Sequence, residues 1–145
     1  KQADYYAYDF WNDRFVGEPS GSSRLKQTLR PGEARVLSIR RALDVPQVIS
    51  TNRHMMQGYV DLKEVAFHDD SDTLSGRSDV ARDDPYELVV ATNGYVPLRA
   101  EVVGAASHSM ECNPAEPTIV RLRIKPARTG RATWRIEFRN SISDE

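Results

Sequence analysis

Cysteine is almost absent from this sequence: Cys112 stands alone among 145 residues. One thiol excludes an internal disulfide framework and any site built from several cysteines, and it leaves the redox compartment open. Histidine is scarce too. His54, His68 and His108 show no H-x-H or H-E-x-x-H spacing that would seat a metal. No apolar run approaches the roughly 20 residues that cross a bilayer as a helix, so no membrane partner is expected. Neither charge dominates: 20 Lys and Arg face 21 Asp and Glu, interleaved along the chain. Without a basic tract there is no surface to displace counterions from a phosphate backbone, and no nucleic-acid partner is expected. No cofactor is expected either. The opening KQADYYAYDF lacks a Met and reads as the start of a piece cut from a longer protein, so the missing leader carries no information about export.

Helical periodicity is also lacking; what is present is alternation with a period of two. In RATWRIEFR, Ala132, Trp134, Ile136 and Phe138 share one face, and Thr133, Arg135 and Glu137 the other. TIVRLRIK repeats the rule, with Val120, Leu122 and Ile124 inward and Arg121 and Arg123 outward. Each reads as an antiparallel strand with one buried face and one wet face. The PARTG between them reads as a hairpin loop. Further strands are expected at Asp4–Trp11, Leu25–Leu29, Ala34–Arg40, Val60–His68, Thr73–Val80, Tyr86–Thr92 and Leu98–Val103, with a short one at Met110–Cys112. Pro31-Gly32 suits a type II turn and Asn93-Gly94 a tight turn. In VDLKEVAF the apolar phase slips by one residue, which predicts a β-bulge near Lys63-Glu64.

Many short strands at regular spacing make an all-β protein, an antiparallel β-sandwich of immunoglobulin-like or Greek-key type. The sequence reads as one β unit in two parts. Residues 1–42 supply opening strands, too few to close a sandwich and suited to completing a sheet shared with an absent upstream domain. Residues 43–145 form the main sandwich, with ALDVPQV as a Pro-containing connection.

Candidate chemistry is sparse. HDDSDT brings Asp69, Asp70 and Asp72 together, and alternate oxygens in a loop can ligate calcium, but no Gly and no terminal Glu complete such a loop. The competing reading is a polar turn between two strands. Asp83 and Asp84 are adjacent, whereas a glycosidase needs carboxylates facing one another across about 5–10 Å; neighbours on one strand point to opposite faces. Cys112, in phase with Met110, reads as an inert buried thiol. Sugars stack on exposed aromatics, so Trp11, Tyr59 and Tyr95 are candidate carbohydrate contacts. Tyr5, Tyr6, Tyr8, Phe10 and Trp11 crowd a strand apolar on both sides, which suits burial or an interface better than a ligand platform. Asn52, Arg53 and His54 are either ligand contacts or donors for backbone groups in the connection between the two β parts.

YYAYDFWNDRFVGEPSG, then LRPGEARVLSIR, then PQVISTNRHMMQGYVDL and TLSGRSDVARDDPYELVV together resemble the C-terminal region of alpha-galactosidase-like (melibiase-type) glycoside hydrolases. The likeness covers residues 5 to 92. It is carried most specifically by Tyr8-Asp9-Phe10-Trp11 with Phe15 and Gly17, by Pro31-Gly32 before Val36-Leu37, and by Pro46 through His54. In that family an all-β domain follows a catalytic β/α barrel whose carboxylates lie upstream of everything in this chain. The resemblance therefore implies a non-catalytic accessory domain. Its partner is the absent catalytic barrel of the same polypeptide, with carbohydrate as the rival ligand, in an exported bacterial enzyme, periplasmic or extracellular.

Overall fold

The computed structural model describes residues 4–53 and 60–141, and among these no helix forms. The chain divides into two compact units, Lys1–Leu43 and Asp44–Glu145.

The first unit is a three-stranded antiparallel sheet. Its strands are β1 (Tyr5–Asp9), β2 (Arg14–Gly17) and β3 (Leu37–Arg41), in the order β2-β1-β3. The central strand takes the aromatic run, and Tyr6, Ala7, Tyr8 and Asp9 are all buried. The expected strand at Leu25–Leu29 does not form. β1 has only two edges; β3 fills one, and β2, tethered by a short turn, fills the other at low entropic cost. That turn is closed by Asp9, whose carboxylate accepts from the backbone and side-chain amides of Asn12. Tyr8 adds a 2.6 Å bond to Asp13, a residue at φ 48°. The Pro31-Gly32 turn forms as expected, with Gly32 at φ 80° and the Glu33 amide bonded to the Arg30 carbonyl at 2.9 Å.

The second unit is a sandwich of two four-stranded antiparallel sheets. One has the order β4-β7-β10-β9, from Gln47–Thr51, Tyr86–Ala91, Ile119–Pro126 and Ala105–Cys112. The other has the order β5-β6-β11-β8, from Leu62–His68, Thr73–Val80, Gly130–Asn140 and Tyr95–Val103. The core is filled by the inward residues read from the alternation: Val120, Leu122 and Ile124 of β10 meet Ala132, Trp134, Ile136 and Phe138 of β11, with Tyr86, Leu88 and Val90 of β7 and Leu74 of β6. The antiparallel β-sandwich is thus the fold.

Within that fold several details depart from the sequence reading. β10 and β11 do not pair with each other. β10 lies between β7 and β9, and β11 between β6 and β8, so PARTG carries the chain from one sheet to the other rather than closing a hairpin. Both strands present an apolar face to the same core, which two facing strands satisfy as well as two paired ones. Asn93 and Gly94, at φ 51° and 81°, likewise turn the chain from β7 into the opposite sheet. β4 forms where the connection between the two β parts is expected; its Ile49, Ser50 and Thr51 are buried, and a bulge at Ile49 adjusts its pairing with β7. β8 and β9 are longer than expected because each is a sheet edge. Edge strands tolerate Pro97 and a polar run such as Ser107-His108-Ser109, neither of which alternates. Cys112 faces the same side as Val120 but ends an edge strand, where nothing covers it, so the thiol expected to be buried is exposed. The bulge near Lys63-Glu64 is present: pairing with β6 shifts between Lys63 and Ala66, and Glu64 sits at φ 51°.

Gly76 on β6 pairs directly with Trp134, and a Cβ at that position would lie 2.5 Å from the indole ring. Overpacking of a filled core costs about 1–3 kcal/mol. Gly76→Ala should therefore destabilise the protein by about that amount, read from urea denaturation followed by Trp fluorescence; an unchanged midpoint would contradict the packing described.

Candidate functional site

The residues with the richest polar chemistry converge at the end of the second unit where β4 stops. Beyond Thr51 the chain continues along β7 through a side chain. Asn52 accepts from the Glu87 amide at 3.0 Å, donates to the Pro85 carbonyl at 2.8 Å, and its own amide bonds to the Glu87 carbonyl at 3.1 Å. Asn52 thereby acts as one more rung of the ladder, satisfying backbone groups that the strand end would leave open. Arg53 follows, with its guanidinium 2.6 Å from Asp84 and 5.3 Å from the Tyr86 ring centre. A cation over an aromatic face adds a modest attraction to that ion pair.

Beneath Arg53 lies a buried hydrogen-bonded chain. Trp134 donates to the Ser78 hydroxyl at 2.9 Å, and Tyr86 donates to Asp61 Oδ2 at 2.5 Å. Ser78 also bonds to the Tyr86 oxygen. Burial in the core pushes the Tyr86 phenol well above its ordinary range, and the bond to Asp61 pushes it in the same direction. Asp61 is nine-tenths buried, and its other oxygen, Oδ1, has no hydrogen-bond partner. Such an arrangement holds the Asp61 side chain in place against Tyr86.

Beside this network, a cleft of about 420 Å³ is lined by Arg53, Asp79, Val80, Asp84, Thr129 and Arg131. Its charges are already matched, Arg53 with Asp84 and Arg131 with Asp79. Asp83 and Asp84 diverge: Asp83, at φ 61°, pairs with Arg82 at 3.4 Å, and Asp84 turns to Arg53. They do not confront each other across a substrate-sized gap.

The other sequence candidates are scattered. Asp69, Asp70 and Asp72 lie in the tight β5–β6 turn, where the Ser71 amide bonds to the His68 carbonyl and the Asp72 carbonyl accepts from the Phe138 amide. Among the described residues no three His, Cys, Asp or Glu side chains gather as a metal would need. Tyr95 packs edge-on against Phe67 and Phe138 and lines the core, so its ring is not a stacking platform. Trp11, in the first unit, is 56% exposed and meets Phe10 edge to face, with ring centres 4.9 Å apart. His54 and Tyr59 lie outside the described residues. His68 bonds to Ser75 and His108 to the Ala100 carbonyl, each held separately.

Comparison with known protein families, with curated proteins and with solved structures finds no match. The likeness to alpha-galactosidase-like enzymes rests on the sequence motifs alone.

Asp61 and Tyr86 were not singled out in the sequence. The available signals were slight: an Asp set between Val60 and Leu62, and a Tyr in phase with Leu88 and Val90. Tyr86→Phe strips the buried carboxylate of its donor and should cost about 1–3 kcal/mol near neutral pH. The phenol's folded-state value lies above its unfolded value, near 10. Its contribution is therefore complete below pH 10 and lost as pH rises beyond it. Between pH 9 and 11 the wild type should lose more stability than Tyr86→Phe, measured by urea midpoints; parallel losses would refute the buried, bonded phenol.

Proposed function

We propose that this chain is a non-catalytic β-sandwich accessory domain of an alpha-galactosidase-like glycoside hydrolase, covering and stabilising the catalytic barrel of the same polypeptide. The observation that carries this reading is the fate of the carboxylates. Glu87, Glu111, Glu116, Glu101, Glu137, Asp79 and Asp84 are each engaged by an arginine on the strand or loop beside them. A hydrolase of this class needs one carboxyl free to donate a proton and another aimed at the anomeric carbon from across the substrate. Arginine pairing removes candidates for both roles.

The rival reading, a carbohydrate-binding module that stacks neutral sugars on its surface, calls for a row of exposed aromatic faces. Among the described residues Trp11 is the one exposed aromatic, and its neighbour Phe10 meets it at 70° instead of extending a flat platform. The aromatics Tyr6 and Tyr8 of β1 are buried within this chain. Among the described residues the exposed large apolar side chains of the first unit are Trp11, Leu29, Ile39 and Leu43. Apolar side chains left in water suit an interdomain contact.

The test has two arms. The full reading frame should encode a β/α barrel upstream, and deleting this chain from that enzyme should lower its thermal midpoint. The isolated chain should not turn over nitrophenyl α-galactosides. Turnover abolished by Asp83→Asn or Asp84→Asn would overturn the accessory reading, as would a frame with no barrel.

A further inference from the structure

A cleft of about 720 Å³ in the first unit lies between the β1–β2 turn and the Pro31-Gly32 turn. Asn12, Arg14, Thr28, Arg30, Glu33 and Arg35 line it. One wall is fixed. Fully buried Asp9 holds Asn12 at 2.7 Å and stands 3.6 Å from Arg35 Nε. Arg35 in turn donates to Gln27 at 2.6 Å and to Glu33 at 3.2 Å. Glu33 also accepts from the Arg30 amide at 2.8 Å, the main reason its carboxyl lies below the usual range. Arg14 and Arg30 also line the cleft, and their guanidinium groups have no hydrogen bond or ion pair from any described residue. Most arginines of the sandwich unit are spent on carboxylates; these two are not. Three arginines against Glu33 and Asp9 leave the cleft with one positive charge over.

We propose that this cleft binds a saccharide bearing an oxyanion, a carboxylate or sulfate, with Arg14 and Arg30 clamping the anion and Asn12, Thr28 and Glu33 meeting hydroxyls. A guanidinium fork matches the planar geometry of a carboxylate or the oxygens of a sulfate. The cleft falls in the size range of small-ligand sites and is larger than a bare oxyanion requires. This proposal goes beyond the accessory role and does not depend on it, because it concerns a site inside this chain and is tested on this chain alone.

The experiment is calorimetric titration of the chain with a digalacturonate, a neutral digalactoside and inorganic phosphate, at low and at physiological salt. The acidic disaccharide should bind at least about tenfold more tightly than the neutral one, the worth of a charge-assisted contact, and should weaken with salt. Arg14→Gln and Arg30→Gln should each weaken it by about tenfold. Arg128→Gln, at an unpaired arginine in the β10–β11 link, should leave it unchanged. Both clamp positions are exposed, so the variants should keep the wild-type circular dichroism. No binding of the acidic disaccharide, equal binding of the neutral one, equal binding of phosphate, or indifference to both clamp substitutions would each overturn the proposal.

Discussion

The sandwich is organised around one buried ring. Trp134 lies almost wholly out of water against the backbone of Gly76, where any side chain would displace it, and its indole N–H must find an acceptor there. Ser78 supplies it. From Ser78 the bonds continue to the Tyr86 phenol and then to Asp61 near the rim. A single polar thread thus joins the middle of one sheet to the facing sheet and to the segment that enters β5. Each member is committed by the one before it: the ring requires a small residue opposite, the N–H requires the hydroxyl, and the phenol requires the carboxylate. Buried polar networks of this kind tolerate little rearrangement, since a lost partner leaves a desolvated group unpaired.

The outer faces follow a different rule. Arg121, buried beneath its neighbours, is held by Glu87 and Glu116, while Arg123 reaches Glu87 and Glu111. On the other sheet Arg99 grips Glu137 through two bonds of 2.7 and 2.8 Å, and Arg135 reaches Glu101 and Glu137. The exposed pairs among these, such as Arg123 with Glu111, add little stability each. Their effect is to keep two broad pleated faces and four sheet edges wet and charged, which discourages edge-to-edge association.

Much of the sandwich was legible in the residues. Alternation in β10 and β11 named the core side chains correctly, because a side chain's face depends only on its parity along a strand. The phase slip at Lys63-Glu64 marked a real bulge for the same reason. The site was less legible. Asn52 and Arg53 could be recognised as donors, but not that β7 would receive them, and Asp61 and Tyr86 carry no motif because burial is what gives them their character. β4 and β9 were missed or shortened for opposite reasons: one has too little length to show a period, the other is a polar edge with no need of one.

By itself the sequence determined the all-β class, the inward and outward faces of the long strands and the turn at Pro31-Gly32, since these depend on local geometry and residue type. Only the tertiary structure decided which strands are neighbours, that PARTG and Asn93-Gly94 pass between sheets, that Cys112 is uncovered, and that Arg14 and Arg30 line one cleft. Pairing is a competition among many strands for a few edges, and its outcome is fixed by the packing of the whole rather than by any single segment.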